Sequence, residues 1–512
     1  MLAIQVIARA HQAGLRLEAR EVVRSQTIAA LAAAADAAGV ATPATPATPG
    51  GTAPDEVTGP APLSAGQRWF FEQPLVNVHH HNQSVLFELR EPLPAAVLRA
   101  ALSRLLAHHD ALRLRFFQDA DGWHQEFTPS DGAVPCVEIA AAALDATAFD
   151  AALTALQAGL DLCRGPLLRA ALLTRRPARP DLLLLAIHHL AVDGFSWRVL
   201  LEDFQALCAG LLRGERGEEI RLPAKTTSFQ EYCRRVENLA RSGALRSDLA
   251  FWLDPGRGAP GPLPLDFPGG EDVVATSRTA EAALGPEETR ALLQDLPRQL
   301  GARIDDVLLA GLALAFRGWT GERLLQVNLV AHGRQALGDG TDLSRTVGWC
   351  SVNFPVVLDS GESGDPGRAL RAVEERLRRL PRDGRDDRGG ASWAWLRLLS
   401  GDTEAAAALA TLPRSQVLFS YFGQFDSLQG ELSLFRLSRE PAGLPSDPRS
   451  PRLWLLAVSA QVLAGRLALS IGHGGRHRPA TAQFLAAGWA AALRSLITHG
   501  RAAASATTLT EE

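Results

Sequence analysis

Hydrophobic residues recur along most of the chain at the spacings of strands and helices, and the two patterns alternate. Short aliphatic runs predict buried strands at residues 84–89, 182–187 and 324–330. Apolar stripes with helical spacing predict helices, which lie at residues 95–109, 196–212, 286–297 and 481–497. The alternation is typical of a mixed α/β (α+β) protein and extends over about residues 61–505.

The first 60 residues follow a different pattern. Residues 1–36 contain two apolar-rich stretches that predict helices, the second of them capped by Ser25 or Thr27. A segment of this size cannot bury a good core alone. Residues 37–60 repeat proline, threonine and alanine, which predicts a semi-stiff linker because proline favours extended backbone. Prolines and glycines cluster again at residues 254–270, where we expect a crossing between two lobes.

Length and composition narrow the class of protein. A chain of 512 residues is long enough for about three units. Its 52 basic and 56 acidic residues nearly balance, so the charge gives no reason to expect a nucleic-acid partner. The five cysteines form no CxxC pair, which favours a reducing compartment. The sequence has no signal peptide and no long apolar segment, so we expect a cytoplasmic protein without a membrane partner.

The motif HHLAVDG, residues 188–194, is the strongest chemical signal. It follows a predicted strand and precedes a helix, which places its histidines at a strand end, where side chains can project into a cleft. A neutral imidazole there can accept a proton, because its ordinary pKa lies near physiological pH. Asp193 can hold the turn by pairing with an arginine, and Gly194 permits a tight backbone. A purely structural histidine pair is the alternative interpretation.

A second polar cluster follows the predicted strand at residues 324–330. It consists of His332, Gly333 and Arg334, and the last strand position before it is Val330. Alternation along the strand places Val330 on the same face as Asn328. The position suits a catalytic edge, but valine can neither donate nor accept a proton.

Other histidine clusters give weaker signals. His79, His80 and His81 are adjacent, so their side chains point in different directions, and no metal site is expected there. The HHD sequence at residues 108–110 ends a helical stripe, for which we expect a structural role.

Five segments in order resemble the motif series of the epimerization domains of nonribosomal peptide synthetases, a branch of the condensation-domain superfamily. They are LSAGQRWFFEQ (63–73), HHHNQSVLFEL (79–89), HHLAVDGFSWRVLLEDF (188–204), LSRTVGWCSVNFPVVL (343–358) and FSYFGQFD (419–426). The resemblance covers about residues 61–505.

This resemblance implies two chloramphenicol-acetyltransferase-like lobes in a V around a tunnel. The implied reaction inverts the α-carbon of an aminoacyl or peptidyl thioester. The substrate is carried on the 4′-phosphopantetheine arm of a peptidyl carrier domain, with other synthetase modules as further partners. The expected divisions are a partial carrier domain (1–36), a linker (37–60), an N-terminal lobe (61–225), a C-terminal lobe (226–505) and a tail (506–512).

Residues 1–36 resemble the C-terminal part of a peptidyl carrier domain. The family's pantetheine-bearing serine lies just before the matching segment, so this sequence does not contain it. We therefore expect no cofactor bound by the chain itself. Either the sequence is truncated at this end, or a carrier arm is supplied in trans.

By position in the family motifs, His189 is the expected base, His188 is structural and Asp193 is an ion-pair anchor. The family's opposite carboxylate, at the start of an EGHGRE motif, falls on Val330. Tyr421 or a water is the expected substitute acid. The remaining residues expected along the tunnel are Gly194, His332, Arg334, Trp349 and Ser420.

Three functional hypotheses follow. The chain is an epimerase impaired at Val330, a catalytically inactive module that holds the carrier or recruits a partner enzyme, or a condensation-type acyltransferase that forms an amide. Intact HHLAVDG argues against full loss of activity, and Val330 argues against standard epimerization. The epimerization-type motifs weigh against acyl transfer.

Overall fold

The computed structural model describes residues 28–37, 56–130, 132, 134–177, 179–334, 337, 341–381, 389–424 and 434–511. Within these residues the strands are β1 (Gly59–Ala61), β2 (Asn82–Leu89), β3 (Leu114–Asp119), β4 (Gly122–Phe127), β5 (Cys136–Ala140), β6 (Leu168–Thr174), β7 (Leu182–His188), β8 (Arg278–Ala283), β9 (Leu324–Ala331), β10 (Val352–Asp359), β11 (Val417–Gln424), β12 (Phe435–Leu437), β13 (Leu456–Leu463) and β14 (Arg466–His473).

The α-helices in the same residues are α1 (Ile28–Ala37), α2 (Ala65–Phe71), α3 (Ala95–His108), α4 (Ala146–Ala158), α5 (Gly194–Leu212), α6 (Phe229–Arg241), α7 (Leu249–Trp252), α8 (Pro286–Arg290), α9 (Leu296–Leu300), α10 (Ile304–Thr320), α11 (Pro366–Arg378), α12 (Ala391–Leu398), α13 (Thr403–Ala410) and α14 (Pro479–Glu511). No helix of the described chain combines the length and the apolar character needed to cross a membrane.

Two sheets form the framework of the fold. The first has five strands in the order β12-β2-β7-β6-β5, and the second has six in the order β10-β9-β11-β13-β14-β8. A small three-stranded sheet, β1-β4-β3, lies beside them. Every residue of β7 is buried, which suits its nearly unbroken aliphatic sequence at an interior position of the first sheet.

The layer over the second sheet consists of α10, α11 and α14, which contact one another and the strands. α10 begins with Asp305 and Asp306 in its first turn, where carboxylates complement the helix dipole, and it ends at Gly321, which adopts a left-handed conformation. These helices therefore cover one face of the second sheet at the edge formed by β9 and β10.

The predicted strands at residues 84–89, 182–187 and 324–330 are confirmed as β2, β7 and β9. The helix predicted at residues 286–297 is wrong in part, because α8 passes through a π-helical turn at Ala291–Asp295 before α9 begins. Pro297 explains the break, since proline lacks an amide hydrogen and crowds the carbonyl four residues earlier.

Three predicted boundaries need correction. Residues 59 and 60 are not linker, because Gly59–Ala61 forms β1, and Val57 is already buried in the core. The predicted division into lobes at residue 225 does not hold for every strand, because β12 (Phe435–Leu437) belongs to the first sheet and pairs with β2. The tail from residue 506 continues α14. The first predicted N-terminal helix and the caps Ser25 and Thr27 lie outside the described residues.

Candidate active site

The histidine pair lies where β7 ends. The chain turns through a 3-10 helix, His189–Ala191, and α5 then begins at Gly194. The backbone amide of His189 donates to the carbonyl of His81, 2.9 Å away, which ties the turn to the start of β2. The predicted position at a strand end is therefore confirmed.

His188 is fully buried and has both ring nitrogens occupied by the backbone. Its Nδ1 accepts from the amide of Leu190 at 3.2 Å, so its Nε2 carries the hydrogen and donates to the Val78 carbonyl at 2.9 Å. Burial holds the pKa of His188 well below its ordinary value. These contacts agree with the structural role predicted for this residue.

His189 has a different pair of contacts. Its Nδ1 donates to the Val192 carbonyl at 2.9 Å, because that carbonyl can only accept. Its Nε2 therefore carries a lone pair and accepts from the side-chain amide of Gln83 at 3.0 Å. Burial lowers the pKa of His189, against the opposing effects of nearby carbonyls and Asp193. The ring is thus a neutral imidazole with its basic atom at Nε2.

Two aromatic rings lie against His189. Trp349 stacks at 3.9 Å between ring centroids with the planes 26° apart, and His81 is nearly parallel at 5.8 Å. Trp349 is itself held in place, because its carbonyl accepts from the Ser64 hydroxyl at 2.9 Å. An apolar cavity of about 190 Å³ adjoins His81, with Leu75, Pro451, Trp454 and Ala457 among its walls.

Asp193 connects the turn to segments far away in the sequence. Its carboxylate accepts from both terminal nitrogens of Arg334, at 2.6 and 3.0 Å, and from the backbone amides of Cys350 and Ser351, each at 3.1 Å. It also caps α5 by accepting from the Ser196 amide at 3.0 Å. The arginine partner predicted for Asp193 is thus Arg334.

The turn after β9 serves this ion pair. Gly333 has φ +67°, and a Cβ added to it would lie 1.8 Å from the Cys350 carbonyl oxygen, so glycine is required there. The Nδ1 of His332 accepts from the Arg334 amide at 2.9 Å. Arg334 also lies over the Phe195 ring at 4.3 Å. Through these contacts His332 and Arg334 hold the turn after β9 and the Asp193 carboxylate in place.

Val330 lies near the end of β9, in register with Asn353 of β10. It is 44% exposed, whereas Leu329 beside it is buried. Since Leu329 is in register with Phe419 of β11, alternation places Ser420 on the same face as Val330. The alternation predicted along β9 agrees with this placement, and Val330 presents an apolar side chain to solvent.

Tyr421 lies on the other face of this sheet, with Phe419 and Val417. Burial, together with Asp305 of α10, raises its pKa to about 12. The structure therefore does not bring Tyr421 to the face of Val330, which argues against it as the substitute acid. Sequence proximity to Ser420 was misleading because neighbouring strand residues point in opposite directions.

Gly194 also differs from expectation. Its backbone is not in the left-handed region, and an added Cβ would meet no atom within 4 Å. The tight backbone predicted there is wrong, and the glycine instead leaves open space at the start of α5. The sequence analysis did not single out Gln83, which contacts His189 through its side-chain amide. Gln83 nevertheless lies within the motif segment at residues 79–89.

A cluster of possible metal ligands occurs elsewhere in the described chain. The ligand atoms of His108, His109 and Asp203 lie within 4.8 Å of one another. Arg345 already binds Asp203, and Lys225 also acts on the pKa of His108, so two cations oppose a bound metal. We assign no metal to this cluster.

Comparison with known proteins places the chain in a family. The condensation-domain family model matches residues 57–510. The chain belongs to the condensation-domain family. The match begins at Val57, which is buried in the core.

Relatives of this condensation-family chain are large synthases. It is 37% identical over 513 residues to a linear gramicidin synthase protein of Brevibacillus parabrevis, covering 99% of this chain and 6% of that protein. It is 38% identical over 514 residues to chondramide synthase cmdD of Chondromyces crocatus, covering 98% of this chain and 12% of that protein. The chain thus spans only a small part of these relatives.

Solved structures support the same placement. The epimerization domain from the third module of tyrocidine synthetase B superposes with a TM-score of 0.80 at 30% identity, covering 87% of this chain and 99% of that one. The X-domain from teicoplanin biosynthesis superposes with a TM-score of 0.64 at 21% identity, covering 86% and 95%, a likeness of fold alone. The expected condensation and epimerization type of fold is confirmed.

Proposed function

We propose that this chain inverts the α-carbon of an aminoacyl or peptidyl thioester carried by a peptidyl carrier domain, with His189 as the base. The observation that carries the proposal is the protonation pattern of His189, whose Nε2 holds a lone pair while Nδ1 donates to Val192. A half-buried imidazole with a lowered pKa is unprotonated near neutral pH, as a general base must be. The similarity to an epimerization domain supports the same assignment.

The reaction requires two proton transfers. Once the substrate displaces the Gln83 amide from the lone pair of His189 Nε2, that nitrogen takes the α-proton, and the electron pair of the C–H bond moves onto the thioester oxygen to give an enolate. Inversion then needs a proton delivered to the α-carbon from the opposite face. Val330 cannot deliver it, and Tyr421 lies on the other face of its sheet. We assign this step to water, because the Val330 side chain is 44% exposed. The hydroxide left behind is neutralised through solvent by the proton that His189 releases, which restores the neutral imidazole.

The substrate would reach the site on the carrier's 4′-phosphopantetheine arm, which needs an open path. The space at Gly194, where an added Cβ meets nothing within 4 Å, and the exposed face of Val330 both fit a long flexible arm. We propose that a carrier domain in trans supplies this arm and that synthetase modules are the partners. The chain's own residues orient and deprotonate the substrate, and the carrier arm holds it.

Val330 favours one alternative function. An apolar residue at the position of the family's carboxylate suits a catalytically inactive module that holds a carrier or recruits another enzyme. In this case His189 would be retained for the architecture of the turn alone.

The decisive experiment measures α-carbon exchange. A carrier loaded with an L-aminoacyl or L-peptidyl pantetheine is incubated with this protein in deuterated buffer, and deuterium uptake and the D/L ratio are followed. We expect slow exchange that is lost in H189Q. Exchange no faster than in H189Q would support the inactive module instead.

The variant V330E tests the second proton transfer, with V330Q as the matched neutral control. We expect V330E to raise the rate of inversion and V330Q to leave it unchanged, because only the carboxyl group can transfer a proton. A new amide formed with a second loaded carrier, without exchange, would identify the chain as an acyltransferase.

A further inference from the structure

Gln83 lies on β2 directly beside the histidine turn. It is in register with Ile187 of β7, two residues before His189, and its side chain is half-buried. The amide group contacts two rings at once: its Nε2 lies 3.0 Å from Nε2 of His189, and its Oε1 lies 2.8 Å from Nε1 of Trp197.

The orientation of this amide follows from the chemistry of tryptophan. The indole N–H can only donate, so the atom of Gln83 that faces Trp197 must be the carbonyl oxygen. The NH₂ group of Gln83 then faces His189 and can only donate. Trp197 is 9% exposed and lies in the first turn of α5, so its position is fixed by packing. The contacts thus form a directed chain from Trp197 through Gln83 to His189.

We propose that Gln83, oriented by Trp197, is a positioning residue that holds His189 with its hydrogen on Nδ1 and its lone pair on Nε2. Val192 acts from the other side by accepting the Nδ1 hydrogen. Two separate groups therefore select the same tautomer. The inference rests on the proposed function only in that Nε2 is the atom that takes the substrate proton.

The same contact acts on the charge state of His189. When Nε2 gains a proton, its N–H faces the NH₂ of Gln83, so two donors oppose each other and a hydrogen bond is lost. Gln83 consequently disfavours the imidazolium. A carboxylate in its place would accept from Trp197 and from a protonated Nε2 together, and would stabilise the imidazolium instead.

The experiment reads the imidazole directly. The full chain is labelled with ring-¹⁵N histidine, the His189 resonances are identified by their absence in H189Q, and their shifts are followed against pH. We expect wild-type His189 to show one tautomer with an unprotonated Nε2. In Q83E we expect the titration to move up by about 1 to 3 pH units, as a new carboxylate contact does.

Three further variants make the test specific. Q118E places the same charge change on an exposed position of β3 and should leave His189 unchanged. Q83M keeps a similar size without a donor, so only Val192 still selects the tautomer, and a second tautomer should become detectable. W197F should release the amide of Gln83 to rotate and have a similar but smaller effect.

Unchanged His189 signals in both Q83E and Q83M would overturn the inference. No carrier or substrate enters this measurement, so it is independent of the exchange assay. A chain without exchange activity whose His189 still responds to Q83E would refute the proposed function and leave the role of Gln83 intact.

Discussion

Two histidine pairs in this chain have nearly the same local setting and different chemistry. His108 and His109 lie at the end of α3, before a 3-10 turn at Asp110–Arg113. His188 ends β7, and His189 is the first residue of a similar 3-10 turn, His189–Ala191. In both pairs the second histidine contacts a group from another part of the chain through Nε2. The nature of that group separates them.

His109 contacts a carboxylate, whereas His189 contacts an amide. Nε2 of His109 lies 2.8 Å from Asp203, which Arg345 also binds. The cavity beside this pair holds about 30 Å³, enough for a water but not for a substrate. His189 contacts neutral groups, and the charge of Asp193 is neutralised by Arg334. In a neutral ring the two partners thus place the lone pair on different nitrogens: on Nε2 in His189, where an amide donates, and on Nδ1 in His109, where a carboxylate accepts.

The largest expected effect concerns exchange at the substrate's α-carbon. H189Q should lower its rate by about 10²–10⁴-fold, the usual contribution of a general base. H109Q should leave the rate nearly unchanged, because glutamine can still donate to Asp203 and the cavity beside the ring is too small for a substrate. The assay is deuterium uptake from a loaded carrier, with the folded state of each variant checked by circular dichroism. Equal losses in both variants would mean that the two pairs do not differ in function.

The ion pairs Asp193–Arg334 and Asp203–Arg345 should contribute differently to the free energy of unfolding, and this effect is smaller than the effect on exchange. R334M should lower the free energy of unfolding by about 3–5 kcal/mol, because it leaves Asp193 buried without a cation. R345M should cost about 1.5–3 kcal/mol, since Asp203 keeps its hydrogen bond to His109. Urea unfolding measures both, with R213M, at an exposed pair, as the control. A larger loss in R345M than in R334M would contradict the ranking.

Local pattern was sufficient to predict the frame of the site. The aliphatic run before His188 could only suit a buried strand, and a following Asp-Gly favoured a turn into α5. The need of buried Asp193 for an arginine could also be predicted, although its partner is 141 positions away. The five ordered motifs then supplied the fold, because no local pattern determines how two sheets are arranged.

The contacts that fix the tautomer could not be predicted in this way. Gln83 and Trp197 meet through the pairing of β2 with β7 and the position of α5, and a polar residue in a strand carries no sign of such a partner. The face of Tyr421 depended on the parallel register of β9 and β11, which sequence alone does not give. Both of these failures involve strand register, a property of the whole sheet.

The smallest expected effect is a pH dependence of stability from the first pair. Burial, together with His109, lowers the pKa of half-buried His108 to about 4. Between pH 6.5 and 4 the unfolded chain binds a proton there that the native chain does not, so stability falls as pH falls through this window. Above pH 6.5 the group contributes nothing. At pH 5 the full shift would correspond to about 2 kcal/mol, which solvent screening reduces to about 1 kcal/mol.

H108N removes this titration, so the variant should lose about 1 kcal/mol less than the wild type between pH 7 and pH 5. Urea unfolding at both pH values measures the difference. H124N, at an exposed histidine paired with Asp119, controls for loss of a histidine as such. If H108N and wild type lose the same stability, His108 is not held neutral by its surroundings. Any acid sensitivity of the native state would then have another source. The comparison between the two histidine pairs would depend only on the contacts of His109 and His189.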